Sequence, residues 1–393
     1  MHARAAVMKG PGEIAIERFA VPEAEEGSVV LQMSLAGICG TDKHSFRGET
    51  TQYAGTQHER RTAFPVICGH ENVGIVADVG GEVLATDGSA LRVGDRVVPA
   101  ANVACGRCYY CLNGYPYYMC DHLENYGNSL SCSREPHLLG GWSEYLYLLP
   151  NTPIFRVPPE LPDEVAVLTE VMAVTHGIDT AQAVLALHGR PSFGYGALVL
   201  GVGPLGLCHV VKARLGGAGK IFATDRFSSR LALAEELGAD AVWNVSTTSS
   251  DERAEALLER THGRGAEIVV DCSGVPETFE ESLRMVAPGG VIVEVGAFVD
   301  LGTVGVNPSA DICAPNVSII GVGGETTVSY EPSLDLMAAQ IGRYPLEKIV
   351  SHRIPLGTVV TALQLAQRDE AMQVVLDPRG QSPRQVSGAE GAR

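Results

Sequence analysis

The chain has 393 residues and a formal charge of −17, with 45% apolar and 19% charged residues. That length supplies core enough for two domains, and the acidic balance argues against nucleic acid or an anionic membrane as partner. No run of about 18 apolar residues is present, so nothing in the sequence reads as a membrane span.

The start, Met1-His2-Ala3-Arg4, runs directly into a strand-like Ala5-Ala6-Val7-Met8 without a signal-peptide core, and the cytoplasm is the expected compartment. Residues 5 to 36 alternate apolar and polar positions, broken by Gly10-Pro11-Gly12 and Pro22, and Val29 to Leu35 is the clearest strand. No helical periodicity of useful length precedes residue 160, so this region is expected to be β-rich and barrel-like.

That strand delivers Gly37-Ile38-Cys39-Gly40-Thr41-Asp42-Lys43-His44, which offers a thiol, then a hydroxyl, then an imidazole. A thiolate suits zinc, a hydroxyl can pass a proton, and an imidazole can carry it toward solvent. Alone, such a cysteine reads equally well as a small buried hydrophobe. Asp42 is expected to orient the local backbone. The polar stretch 49 to 63 is expected to be a loop that could shape a substrate mouth, though for any one residue a solvated surface loop is the plainer reading, and His58 within it is not a ligand candidate.

Gly69-His70-Glu71 resembles the opening of a metalloprotease motif, but that motif needs a second histidine where Gly74 stands. A strand from Ile75 to Gly80 follows, which places His70 on the turn that enters it. Val93 to Val98 reads as another strand after a tight turn.

Four of the ten cysteines, Cys105, Cys108, Cys111 and Cys120, fall within sixteen residues. In a reducing compartment clustered thiols read as metal ligands rather than disulfides. Two consecutive two-residue spacers let three thiolates converge from one loop, and the fourth closes a tetrahedron with no open position: a structural zinc site. An iron–sulfur cluster also takes four thiolates; the glycine-rich nucleotide loop at 201–206 argues against it, because hydride transfer to a nicotinamide needs no one-electron carrier.

Ala197 to Leu200 is a buried parallel strand running into Gly201-Val202-Gly203-Pro204-Leu205-Gly206, with a helix from Leu207 to Leu215. Such glycines permit a tight turn and let a pyrophosphate approach the helix N-terminus. The second strand, Lys220 to Asp225, ends in an acid nineteen residues after Gly206, where a carboxylate binds the adenosine ribose. Alternation continues with a helix from Leu231 to Leu237, a strand from Ile268 to Asp271, a helix from Phe279 to Val286 and a strand from Gly289 to Gly296. Cys208, Cys272 and Cys313 are expected as core or turn residues.

On these motifs the chain resembles the medium-chain, zinc-containing alcohol dehydrogenases over residues 5 to about 378. Gly69-His70-Glu71-x-x-Gly74-x5-Gly80-x-x-Val83 matches that family's zinc signature, and the cysteine lobe matches with a final spacer of eight residues rather than seven, an expected bulge before Cys120. Gly140 to Tyr145 is similar to the strand by which the family returns to its catalytic domain. Glu170 falls where the family carries cysteine or glutamate, and the glutamate resembles the polyol and threonine dehydrogenase branches.

The resemblance implies an α/β fold with a GroES-like, β-rich catalytic domain (1–171, zinc lobe about 104–121), a Rossmann cofactor domain (172–322), a return to the catalytic domain (323–380) and a disordered tail (381–393). It implies two Zn²⁺ per subunit: a catalytic one held by Cys39 and His70 with Glu71 and Glu170 competing, and a structural one on the four clustered cysteines. Thr41 and His44 become the proton relay, His44 acting through the cofactor ribose, and Gly201, Gly203, Pro204, Leu205, Gly206, Asp225, Arg226, Arg230 and Gly296 become NAD contacts. The expected reaction is reversible NAD-linked oxidation of a small-molecule alcohol, secondary by expectation, to a carbonyl, in a homodimer or homotetramer paired through Val317 to Gly321. Tyr126, Trp142 and the 49–63 loop are expected pocket walls, and Arg47, Arg60 and Arg61 raise an anionic substrate against the plainer reading of solvated surface charge. A zinc hydrolase using Glu71 as base, or a non-catalytic zinc and nucleotide binder, are the competing functions.

Overall fold

A computed structural model describes residues 1–369 and 371–386, which group into two compact units. Of the described residues, 1–173 with those from Thr326 to 386 form one, and Val174–Glu325 the other.

The first unit is built on an eight-stranded sheet in which the strand Val29–Gly37 pairs with Asn72–Val79, with Tyr145–Leu148 and with Gln373–Asp377. Both faces of Val29–Gly37 are buried, which is why its sequence is apolar almost throughout rather than alternating. The hairpin His2–Gly10 with Glu13–Ala20 packs beside it, and Met33, Leu31, Val7, Trp142 and Leu376 meet in one core. Contrary to the expectation of no early helix, Gly40–Arg47 is a helix of eight residues. Two turns are too few to register as periodicity, and its start is held instead by Asp42, whose carboxylate accepts the N–H of Cys39 at 2.9 Å.

The second unit is a six-stranded parallel sheet whose strands, numbered in chain order, lie 3-2-1-4-5-6, the doubly wound Rossmann order. Leu198, Leu200, Phe222, Val269 and Ile292 fill its core. The helix after the first strand begins at Pro204, inside the glycine motif, because proline at a first helical turn forfeits no hydrogen bond. The helix Ser250–Arg260 is an addition to the elements expected from sequence; Ser249 and Glu252 form a capping box there that marks its start.

The expected disordered tail needs correction in its first part. Arg384–Gln385 pairs antiparallel with the strand Val350–Pro355, which offers an open backbone edge; residues 387–393 of that tail lie outside the described residues. Cys313 is exposed in a helical turn, whereas Cys208 is buried. Among the described residues no helix is long and apolar enough to cross a membrane.

Candidate metal and cofactor sites

Cys39 stands at the N-cap of the helix Gly40–Arg47, with extended backbone that turns its side chain across the first amide groups. His70 and Glu71 lie on the turn entering the strand Asn72–Val79. Their donor atoms and the Cys39 Sγ all fall within 4.8 Å of one another. A sulfur, a ring nitrogen and a carboxylate oxygen are a donor set suited to zinc. Burial first, then Glu170 and Asp42, push the Cys39 thiol up to about 11, and burial followed by Cys39 pushes Glu71 well above the carboxylate range. A bound cation would stabilise these acids in their ionised, ligating form.

Glu170 is not in the three-donor group, though its charge is felt at Cys39, and it is buried to the same degree as His70. Thr41 Oγ1 stands 3.9 Å from Cys39 Sγ. Asp42 is buried; burial raises its carboxyl, while the nearby His70 and the N–H groups of Cys39 and Gly69 draw it back. It therefore braces both ligand segments at once.

One residue that sequence reasoning missed completes the surroundings. Gln373, 302 positions away in the chain, donates its amide N–H to Glu71 Oε2 in a short contact. No local signal could reveal it, because the strand Gln373–Asp377 reaches the site only through its pairing with Ala36 and Gly37. Gly69 is in the left-handed region at φ +93, and a Cβ there would overlap the Trp142 ring. Trp142 is fully buried, and its Nε1–H donates to the Gly37 carbonyl at 3.1 Å. Tyr126 is likewise buried, its hydroxyl tied to Thr152 Oγ1 at 2.6 Å. Both expectations of pocket walls are thus corrected: these rings are core that shapes the ligand loops from behind. The 49–63 segment forms a short hairpin, Thr51–Gln52 with Arg60–Arg61. Its arginines have local partners, Arg61 with Glu59 at 2.9 Å and Arg60 with the Tyr118 carbonyl at 3.4 Å, and Arg47 pairs with Glu49 at 3.0 Å. Solvated and locally paired charge explains them without an anionic substrate.

All four lobe cysteines converge, their Sγ atoms within 4.8 Å of one another. A single 3₁₀ turn, Tyr117–Met119, stands immediately before Cys120, where the longer spacer led to the expectation of a bulge. Backbone N–H groups point at the sulfurs, including Cys105 N–H to Cys120 Sγ at 3.3 Å and His122 N–H to the same atom at 3.4 Å. The N–H of Cys111 leads the groups that hold the Cys108 thiol down to about 6, so one ligand is ready as thiolate. Cysteines that meet this way without a disulfide fit a closed structural zinc.

In the second unit, Gly201 takes φ +84 and a Cβ on Gly206 would overlap the Gly201 carbonyl oxygen, so the loop closes onto its helix only with glycines at both ends. Gly203 has nothing nearer to its missing Cβ than Arg230 Nη1 at 3.6 Å, which leaves its open face to a phosphate beside a guanidinium. Pro204 and Leu205 open the helix, with its amide groups aimed the same way. Asp225 is buried at the end of its strand; Oδ2 accepts the N–H of Val202 at 2.9 Å and Oδ1 that of Phe227 at 2.9 Å. This carboxylate thus joins the glycine loop to the second strand and is oriented by both. Arg226 and Arg230 both lie against the Phe227 ring, at 4.5 and 4.7 Å, and Arg230 Nη1 is 3.9 Å from Asp225. Gly296 follows the strand Val286–Glu294 and approaches Gly274 so closely that neither could carry a side chain.

Comparison with known proteins gives the family. Residues 25–159 match the family model described as alcohol dehydrogenase GroES-like domain, and residues 204–339 that described as zinc-binding dehydrogenase. A Mycobacterium tuberculosis protein named probable alcohol dehydrogenase is 31% identical over 88% of this chain and 89% of its own length. An alcohol dehydrogenase from Thermotoga maritima superposes with a TM-score of 0.87 at 29% identity, covering 96% of this chain and 100% of its own. A Sinorhizobium meliloti structure bound to NADP gives 0.80 at 26% identity, covering 96% and 100%. With its paired glycine-loop and cysteine-lobe architecture and that degree of likeness, the chain belongs to the zinc-containing medium-chain alcohol dehydrogenase family and is an oxidoreductase of alcohols.

Proposed function

We propose that the enzyme oxidises a small secondary alcohol to a ketone, or the reverse, with NAD, at a zinc held by Cys39, His70 and Glu71. The observation that carries this is the three-donor cluster with the Thr41 hydroxyl beside it. Zinc supplies Lewis-acid polarisation of an alcohol oxygen and the nicotinamide ring supplies the hydride acceptor. The protein's own residues do the rest. Thr41 accepts the hydroxyl proton of the substrate and hands its own proton on, and His44 receives it for release to water. Gln373 holds the Glu71 carboxylate in one orientation. Glu170, outside the three-donor group, adds negative charge near Cys39 that would favour a bound cation.

The four lobe cysteines hold a second, structural zinc. The glycine loop and Arg230 receive the pyrophosphate, with Asp225, Arg226 and Gly296 completing the cofactor contacts. The relatives give a hydrolase or a non-catalytic binder no support.

The test is metal analysis coupled to turnover. Elemental analysis is expected to give about two zincs per chain, one in an open ligand set and one in a closed one. A chelator removes the open-site metal first, abolishing alcohol-dependent NADH formation while the melting temperature holds. One zinc per chain, or simultaneous loss of both, overturns the assignment.

A further inference from the structure

The helix Gly40–Arg47 ends at Gly48, in the left-handed region at φ 100, and the chain folds back so that the N–H of Glu49 donates to the His44 carbonyl at 3.0 Å. This turn lays the Glu49 side chain over the imidazole five residues earlier. Glu49 Oε2 meets His44 Nδ1 in a short contact, and Arg47 Nη2 reaches the same oxygen at 3.0 Å. Arg47 Nη2 is also 3.1 Å from Nδ1. A guanidinium only donates, and so does a protonated ring nitrogen, so the three groups are reconciled by one arrangement: Nδ1–H and Arg47 both donate to an ionised Glu49. Next to His44 on the helix, Ser45 shares a hydroxyl hydrogen bond with Thr62 at 2.7 Å, which fixes the platform from which His44 projects.

We propose that Glu49 is a positioning residue of the proton relay, fixing the His44 tautomer with Nδ1 protonated and Nε2 as the proton acceptor, and that Arg47 moderates it by sharing the same carboxylate oxygen. The proposal rests on the reading of His44 as relay. A carboxylate on Nδ1 makes Nε2 a better base and stabilises the imidazolium formed when the proton arrives. A second cation on that carboxylate weakens the effect, so the two side chains set the basicity of the ring between them. The surrounding charges agree in direction. Burial leads in drawing His44 below its ordinary value, Glu49 opposes it, and Arg47 and Lys43 act with burial. Desolvation pushes Glu49 up, but the hydrogen bonds from Arg47 and His44 overcome it and keep the carboxyl ionised.

The experiment is the pH profile of kcat/KM for the zinc-loaded enzyme with NAD and the best-accepted member of a panel of 2-butanol, cyclohexanol, sorbitol and threonine. Oxidation by the wild type is expected to fall on an acid limb where His44 becomes protonated. Glu49→Gln moves that limb to lower pH and lowers the plateau about tenfold, a part of the range general-base catalysis supplies. Arg47→Met moves the limb the opposite way, and Glu49→Asp restores most of the wild-type profile. Zinc content and melting temperature stay unchanged in all three, as both side chains are partly exposed. Limbs coincident with wild type in Glu49→Gln and Arg47→Met overturn the proposal, as does a uniform loss of rate without movement of the limb. ¹⁵N shifts of His44 read the tautomer independently of turnover, and a ring carrying its proton on Nε2 also overturns it. His44→Ala separates the two levels of the argument: if it keeps the wild-type limb, the relay itself fails; if it loses the limb while Glu49→Gln keeps it, only the role of Glu49 fails.

Discussion

Single residues at these sites work by holding others in place. Asp225 shows this most directly, because both of its oxygens already accept backbone N–H groups before any cofactor arrives. A carboxylate so oriented still has lone pairs for ribose hydroxyls, whereas a 2′-phosphate brings like charge against it in a partly dry site. NAD is therefore expected over NADP by at least about a hundredfold in kcat/KM, about 2.7 kcal/mol. Asp225→Gly should shrink the ratio, with Arg226 and Arg230 then released toward a phosphate. Steady-state kinetics with both cofactors decide it, and equal efficiency in the wild type refutes the assignment. That a relative was solved with NADP makes the measurement worthwhile rather than redundant.

At the scale of elements, the carboxyl ends of the parallel strands concentrate acids. Asp271 and Glu294 are register partners at the ends of adjacent strands. Burial first, then the Asp271 charge, pushes the Glu294 carboxyl up to about 7, and the N–H groups of Gly296 and Ala297 only partly compensate. The folded state thus binds a proton that the unfolded chain has already released between about pH 4.3 and this value. Stability falls as pH rises through that window and levels off above it. Glu294→Gln keeps an oxygen for the two N–H groups and removes the titration. It should raise the melting temperature at pH 8 while leaving it near wild type at pH 5. Equal effects at both values would show that Glu294 is ionised throughout.

For the whole molecule, the question is what covers the strand Ser318–Gly321. It is the last strand of the six and alternates half-buried with exposed residues, and Ile319 is 41% exposed on it. An edge strand with an apolar residue and no charge of its own invites pairing with a second copy. We expect a dimer or a tetramer built on dimers through this edge. Ile319→Lys should shift sedimentation at micromolar concentration toward the monomer without changing zinc content. A wild-type monomer under the same conditions removes the interface.

Much of this protein was legible in the chain itself, and for a physical reason. A metal lobe with two-residue spacers, a glycine loop between a buried strand and a helix, and an acid at the end of the next strand are constraints that act within a few residues of one another. Their chemistry needs those residue types at that spacing wherever the rest of the chain goes. The helix bearing Thr41 and His44 escaped notice because two turns carry no period, and its stability comes from a cap and from Thr62 rather than from an apolar stripe. The tertiary structure alone decided that Gln373 orients Glu71, that Trp142 and Tyr126 are buried supports, and that Glu170 lies outside the three-donor group. The first depends on strand pairing between segments far apart in the chain, and the others on burial in tertiary packing, which no local pattern encodes.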